Sequence, residues 1–155
     1  GLTTFGVALV KEMNQIGMVV DVAHLSAAGY RDVLDAVDAP IINSHTTCAA
    51  LCDHPRNLTD EQIKQLADNG GVMGMTFVPR FVDAANPTFD RFIEHIDHAV
   101  QLVGPQYVFD GGGTLIEDAN VFPSITAALL DRGYKPEDVQ LVMGESFMRV
   151  FEQVW

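Results

Sequence analysis

Two apolar runs that each end on a histidine, Val19-Val20-Asp21-Val22-Ala23-His24 and Ile41-Ile42-Asn43-Ser44-His45, constrain this chain more than any other feature. Short, nearly continuous apolar runs are the pattern of strands buried in a parallel sheet. Parallel strands need a crossover connection, and the stretch from Ser26 to Pro40 is long enough to supply one as a helix. Polar residues at the C-terminal ends of such strands project into the mouth of the sheet or barrel, where ligands bind. Neighbouring strands lie about 4.8 Å apart, so His24 and His45 converge if their strands are adjacent, and converging imidazoles bind metal. The simpler reading of any one histidine is a hydrogen-bonded core residue. Two at matched strand ends favour the metal, although a catalytic zinc normally takes three protein ligands and this pair supplies two.

Helical spacing places Phe5, Ala8, Leu9, Glu12, Met13 and Ile16 on one stripe, which predicts an amphipathic helix over 3–16 with Thr3 or Thr4 as N-cap. Ser26 is positioned to cap a second helix running to Val37. Residues 46–52 read as a short helical turn, and Thr59 with Gln62 has the spacing of a capping box for a third helix. Val72 to Val78 reads as a strand in which Gly74 marks close backbone packing. Phe89, Phe92, Ile96, Ala99, Val100 and Val103 trace a helix closed by Gly104-Pro105. Tyr107 to Asp110 is a short fourth strand, and Pro123 to Leu130 and Glu137 to Val154 are two closing helices. The alternation indicates an α/β fold with about four parallel strands and flanking helices. Four strands do not close a (β/α)8 barrel, which takes about 250 residues.

Composition narrows the function. A formal net charge of −12 with nine basic residues disfavours nucleic acid, which requires clustered cations. No apolar run reaches the roughly 18 residues of a membrane span, and no signal-peptide pattern opens the chain. Cys48 and Cys52 stand four apart in one turn, which favours reduced thiols over a disulfide and, mildly, a cytoplasmic location. The chain begins at Gly1 and enters a helical pattern at once, which reads as part of something longer.

Two readings stand for Asp21: a polar strand residue meeting a backbone donor, or an acceptor that orients an imidazole. Arg56 follows the second strand in a Pro- and Asn-containing loop, where its guanidinium can hold a carboxylate bidentately or simply be solvated. His95 and His98 are three apart beside an apolar stripe and read as a solvated helix face, and His54 reads as a loop-packing residue. Gly111 to Gly113 lacks the Lys-Ser/Thr of a phosphate loop.

The segments GLTTFG, MNQIGMVVDVAHLS, APIINSHTTCAALCDHPRNLTDEQI and RGYKPEDVQLVMGESFMRVF resemble the C-terminal half of the membrane (renal) dipeptidase family, and the similarity spans essentially the whole chain. The resemblance implies a binuclear zinc peptidase on a (β/α)8 barrel, with residues 1–155 as a single incomplete barrel domain, a piece of a longer metallopeptidase. It implies that His24 and His45 bind the second Zn2+, and that Arg56 holds the carboxylate of a dipeptide substrate. The family's N-terminal half, with the ligands of the first zinc and the bridging glutamate, is absent from these residues. The family's last strand carries a catalytic aspartate that the register Phe109-Asp110-Gly111 omits, which leaves Asp110 as its candidate replacement. The chain alone is therefore expected to show little or no peptidase activity. The alternative is a catalytically dead half-barrel that forms a homodimer or pairs with a missing N-terminal half.

Overall fold

Caps written into the sequence start the first helices. The computed structural model describes residues 1–111 and 122–155. Thr3 Oγ1 accepts from the Gly6 N–H to open α1 (Thr4–Gln15), and Ser26 Oγ accepts from the Gly29 N–H to open α2 (Ala27–Leu34). Thr59 and Gln62 form the predicted reciprocal capping box at α3 (Asp60–Asp68). Each cap satisfies a backbone donor that the helix itself leaves unpaired, worth about 1 kcal/mol.

Three parallel strands, β1 (Ile42–Thr46), β2 (Val72–Met75) and β3 (Val108–Asp110), make one sheet in that order. The expected strand at 19–24 is instead an extended segment beside β1. It is joined by Val22 N–H to Ile42 O, Ile42 N–H to Val20 O, and a single parallel bridge between Asp21 and Ile42. The ladder stops there because the Asp21 carboxylate takes the next donors, the N–H groups of Ala23 and Ser44. The β2 strand is shorter than the predicted 72–78 run, and Pro79 opens a one-turn helix, α4 (Pro79–Val82), where the sequence reads as loop. Gly74 is required by close approach, since a Cβ there would lie 2.2 Å from Ser44 O and 2.6 Å from the Phe109 ring.

One side of the sheet buries Val20, Val22, Ile41, Met73, Met75 and Val108 against α2, α3 and α5 (Phe89–Val103). Fully burying each large apolar side chain there contributes about 1.5–3 kcal/mol. The other side buries Ile42, Val72 and Phe109 against Val150 of α8 (Ser146–Val154). Between them come α6 (Phe122–Asp131) and α7 (Pro136–Gln140). The single closing helix expected over 137–154 is broken by a π-turn at Leu141–Glu145, where Gly144 has φ 142°, a conformation that L side chains avoid. The break lets the Ser146 hydroxyl come within 2.8 Å of the Val108 and Leu141 carbonyls.

The stripe on α1 also differs from expectation. Val10 is the buried residue of that helix, whereas Phe5, Leu9 and Ile16 are exposed. Periodicity defines an apolar stripe but not what covers it.

Candidate metal and carboxylate site

The C-terminal ends of the 19–24 segment and β1 bring His24 and His45 together, with their Nε2 atoms 2.7 Å apart. His24 has φ 73°, the one positive φ outside glycine among the described residues. Left-handed backbone costs an L-residue about 1–2 kcal/mol.

Donor chemistry fixes the protons. Arg56 Nη2 lies 3.1 Å from His45 Nε2, and a guanidinium only donates, so Nε2 carries the lone pair. His45 Nδ1 then carries the proton and donates to Ser44 Oγ, 2.8 Å away. Ser44 in turn donates its O–H to Asp21 Oδ2 at 2.5 Å, while Asp21 Oδ1 accepts from Ser44 N–H at 3.1 Å. This relay, from carboxylate to hydroxyl to imidazole, holds the His45 ring with its lone pair toward His24. Asp21 thus does both things the sequence allowed, meeting backbone donors and orienting an imidazole through Ser44. His45 titrates below the ordinary histidine range, first because of burial and then because of His24 and Arg56, with Asp21 opposing. A neutral imidazole is the form that binds metal.

Arg56 is held over the Phe81 ring, 5.4 Å from its centroid, and Arg80 lies over the same ring at 5.3 Å. The Arg56 N–H donates to His54 Nδ1, and the His54 ring packs on Phe81 at 4.5 Å between centroids, the loop-packing role its position implied. Burial, and secondarily Arg80, lowers the Arg56 pKa, an environment that favours an anionic partner. Nothing in the sequence singles out Phe81 or Arg80, whereas Ser44 carries one signal, its place beside His45 within reach of a strand partner.

The other candidates lie elsewhere. Asp110 ends β3, in register with Met75, and β2 separates β3 from β1, so Asp110 stands two strand positions from β1, roughly 10 Å across the sheet. His95 is fully buried rather than on a solvated face, with Nδ1 accepting from Cys48 N–H and Nε2 2.8 Å from Val82 O. His98 is half-buried and pairs with Asp60. Cys48 and Cys52 are free and buried, and burial pushes the Cys48 thiol up to about 12, an unreactive state. Gly112 and Gly113 lie outside the described residues.

Two imidazole nitrogens facing each other, one anchored through a hydroxyl to a carboxylate, fit the donor set of a transition metal. Among the described residues no third His, Cys, Asp or Glu completes a cluster of three with them. No helix among the described residues is long and apolar enough to cross a membrane.

The chain is 37% identical to dipeptidase verJ of Clonostachys rogersoniana over 99% of its own length and 42% of the relative's. It is 35% identical to dipeptidase aclJ of Aspergillus oryzae, again over 99% of its length and 39% of the relative's. The chain therefore spans about two fifths of the curated relatives it matches. Its fold superposes on a Rhodobacter sphaeroides metallo peptidase, solved with a phosphinate mimic of the dipeptide L-Ala-D-Ala, at a TM-score of 0.93 and 28% identity, covering 100% of this chain and 48% of that one. A second solved metallo peptidase, dipeptidase AC, gives the same score, identity and coverage of this chain, over 49% of its own length. The model of the membrane dipeptidase family, peptidase family M19, matches residues 1–155 from end to end, and the chain belongs to that family.

Proposed function

We propose that these residues carry one side of a zinc-dependent dipeptidase site: His24 and His45 as ligands of one Zn2+, and Arg56 as the clamp for the substrate's terminal carboxylate. The observation that carries this reading is the convergence of the two Nε2 atoms and the Arg56 guanidinium on one point at the strand ends. Residues 1–155 act on this reading as a single incomplete (β/α)8 domain. Zinc bound there supplies Lewis acidity that lowers the pKa of water toward about 7. The chain's own residues do the rest. Asp21 and Ser44 hold the His45 lone pair in place, Phe81 supports the Arg56 plane, and Asp110 at the end of β3 is the candidate to move a proton to the leaving amine.

The test is zinc stoichiometry and turnover of Ala-Ala by the 155-residue chain, with His45→Ala beside it. At most one zinc per chain, lost in the variant, and little or no turnover are expected. Two zincs per chain, or binding that survives His45→Ala, would sink the ligand assignment. A second reading, a catalytically dead half-barrel that self-associates, is favoured by exposed Phe5 and Leu9 on α1 and Ile16 at its C-cap, together with Trp155, which is 82% exposed. Robust zinc-dependent turnover lost in His45→Ala would exclude it.

A further inference from the structure

Arg80 is a cation beside the site that the metal and carboxylate chemistry described above leaves unused. Its one-turn helix, α4, is fastened to the loop that carries Arg56. Asn57 donates Nδ2 to both the Cys52 and Phe81 carbonyls at 2.8 Å, the Thr47 hydroxyl donates to the Phe81 carbonyl at 2.8 Å, and the Cys52 thiol reaches the Arg80 carbonyl at 3.5 Å. The backbones bearing Arg56 and Arg80 are therefore held in one place, around the buried Phe81 ring that both guanidiniums share. Each guanidinium carbon lies within 5.4 Å of that ring's centroid, so the two charges are no more than about twice that distance apart.

Neither charge is neutralised within the chain. The sequence has 21 acidic residues against nine basic ones, and Arg91 and Arg132 are each paired with carboxylates. Among the described residues Arg56 and Arg80 have no carboxylate within ion-pair distance, Asp53 of the same loop included. A ring face attracts a cation but does not cancel its charge. Like charges held together without a counter-ion repel, and after burial it is Arg80 that lowers the Arg56 pKa. One carboxylate on Arg56 relieves only half of this arrangement.

We propose that Arg80 binds a second carboxylate, the side chain of the residue whose main-chain carboxylate Arg56 holds, so that the site prefers dipeptides ending in Glu or Asp. The proposal rests on Arg56 being the carboxylate clamp. The two carboxyl carbons of an extended glutamate stand about 5 Å apart, and those of aspartate about 4 Å. A guanidinium–carboxylate pair adds about 4 Å at each end, so either residue spans the two charges. A carboxamide of the same shape brings no charge to Arg80, and a cationic side chain is repelled by both arginines. The net charge of −12 disfavours any additional anion at long range, so a preference for the acidic side chain has to come from the local pair.

The test is an NMR titration of the 15N-labelled 155-residue chain with Ala-Glu and Ala-Gln, which differ in charge and hardly in shape. The Arg56 Nε–H resonance reports capture of the main-chain carboxylate, and the Arg80 Nε–H resonance reports the second one. Both dipeptides are expected to shift Arg56, Ala-Glu alone to shift Arg80, and Ala-Glu to bind about threefold to tenfold tighter. Arg80→Gln should abolish that ratio while the Arg56 shift persists; if this variant does not fold, Arg80→Met serves for the same comparison. A shift of Arg56 without one of Arg80, equal binding of the two dipeptides, or a ratio that survives loss of the cation overturns the second-carboxylate assignment and leaves the clamp standing. No response of Arg56 to either dipeptide removes the clamp, and the assignment to Arg80 with it.

Discussion

The backbone N–H of Cys48 donates to Nδ1 of His95 across 3.1 Å, which puts the ring's proton on Nε2, where it meets the Val82 carbonyl at 2.8 Å. One neutral imidazole thereby ties the loop after β1 to both α4 and α5. No other side chain accepts at the Nδ1 position and donates at the Nε2 position together. His95→Gln is expected to leave the Cys48 N–H unpaired and to cost about 1–3 kcal/mol. Urea unfolding of the variant checks this, and an unchanged midpoint would count against the tie.

The pH dependence of stability has a definite sign. His45, His54 and His95 are all held below the ordinary histidine value of 6.5, each chiefly by burial. As pH falls through 6.5 the unfolded chain takes up protons that the folded chain does not, so stability is lost below that point until the folded groups titrate. The urea midpoint is expected to be lower at pH 5.5 than at pH 7.5. A midpoint that holds or rises would contradict these environments.

Ser44 is the link through which Asp21 orients His45. Ser44→Ala keeps both histidines and removes the hydroxyl, so the His45 ring is freed to turn. Zinc affinity measured by competition with a chelating dye is expected to fall about 10- to 100-fold, with the fold unaffected in circular dichroism.

Arg56 has opposite effects on the two proposed ligands. Its Nη2 occupies the same lone pair of His45 that a metal would use, and it adds a positive charge beside it. Arg56→Met is therefore expected to tighten zinc binding about threefold to tenfold while abolishing the capture of dipeptide carboxylates. Calorimetry with each ligand separates the two, and a parallel loss of both would mean that the variant has disturbed the loop instead.

The left-handed backbone of His24 stores strain that serves the site. His24→Gly is expected to stabilise the chain by about 1 kcal/mol in urea unfolding while removing zinc binding. Destabilisation by the glycine would show that the ring's contacts outweigh the strain.

Much of this architecture was legible because it rests on local rules. Thr3, Ser26 and the Thr59–Gln62 pair mark helix starts through donors within three residues of themselves, and the apolar runs at β1 and β2 announce burial. The convergence of His24 and His45 is legible because chain segments running in parallel bring their C-terminal tips together. His95 was misread although the spacing of Phe92, Ile96 and Ala99 places it on their face, since its partners Cys48 and Val82 are remote in sequence. The Asp21 carboxylate likewise ended a ladder that the apolar run at 19–24 predicted, through a contact with Ser44 that no periodicity records.

That contact has a further consequence. Where the ladder ends, the two histidine-bearing tips are fastened by a single carboxylate, one oxygen on the backbone N–H groups of Ala23 and Ser44 and the other on the Ser44 hydroxyl. The same group is the negative charge that opposes the depression of the His45 pKa. Shape and charge at these tips are therefore inherited together: a lineage that neutralises position 21 to retune the imidazole also unfastens the strap that keeps the two rings within reach of each other.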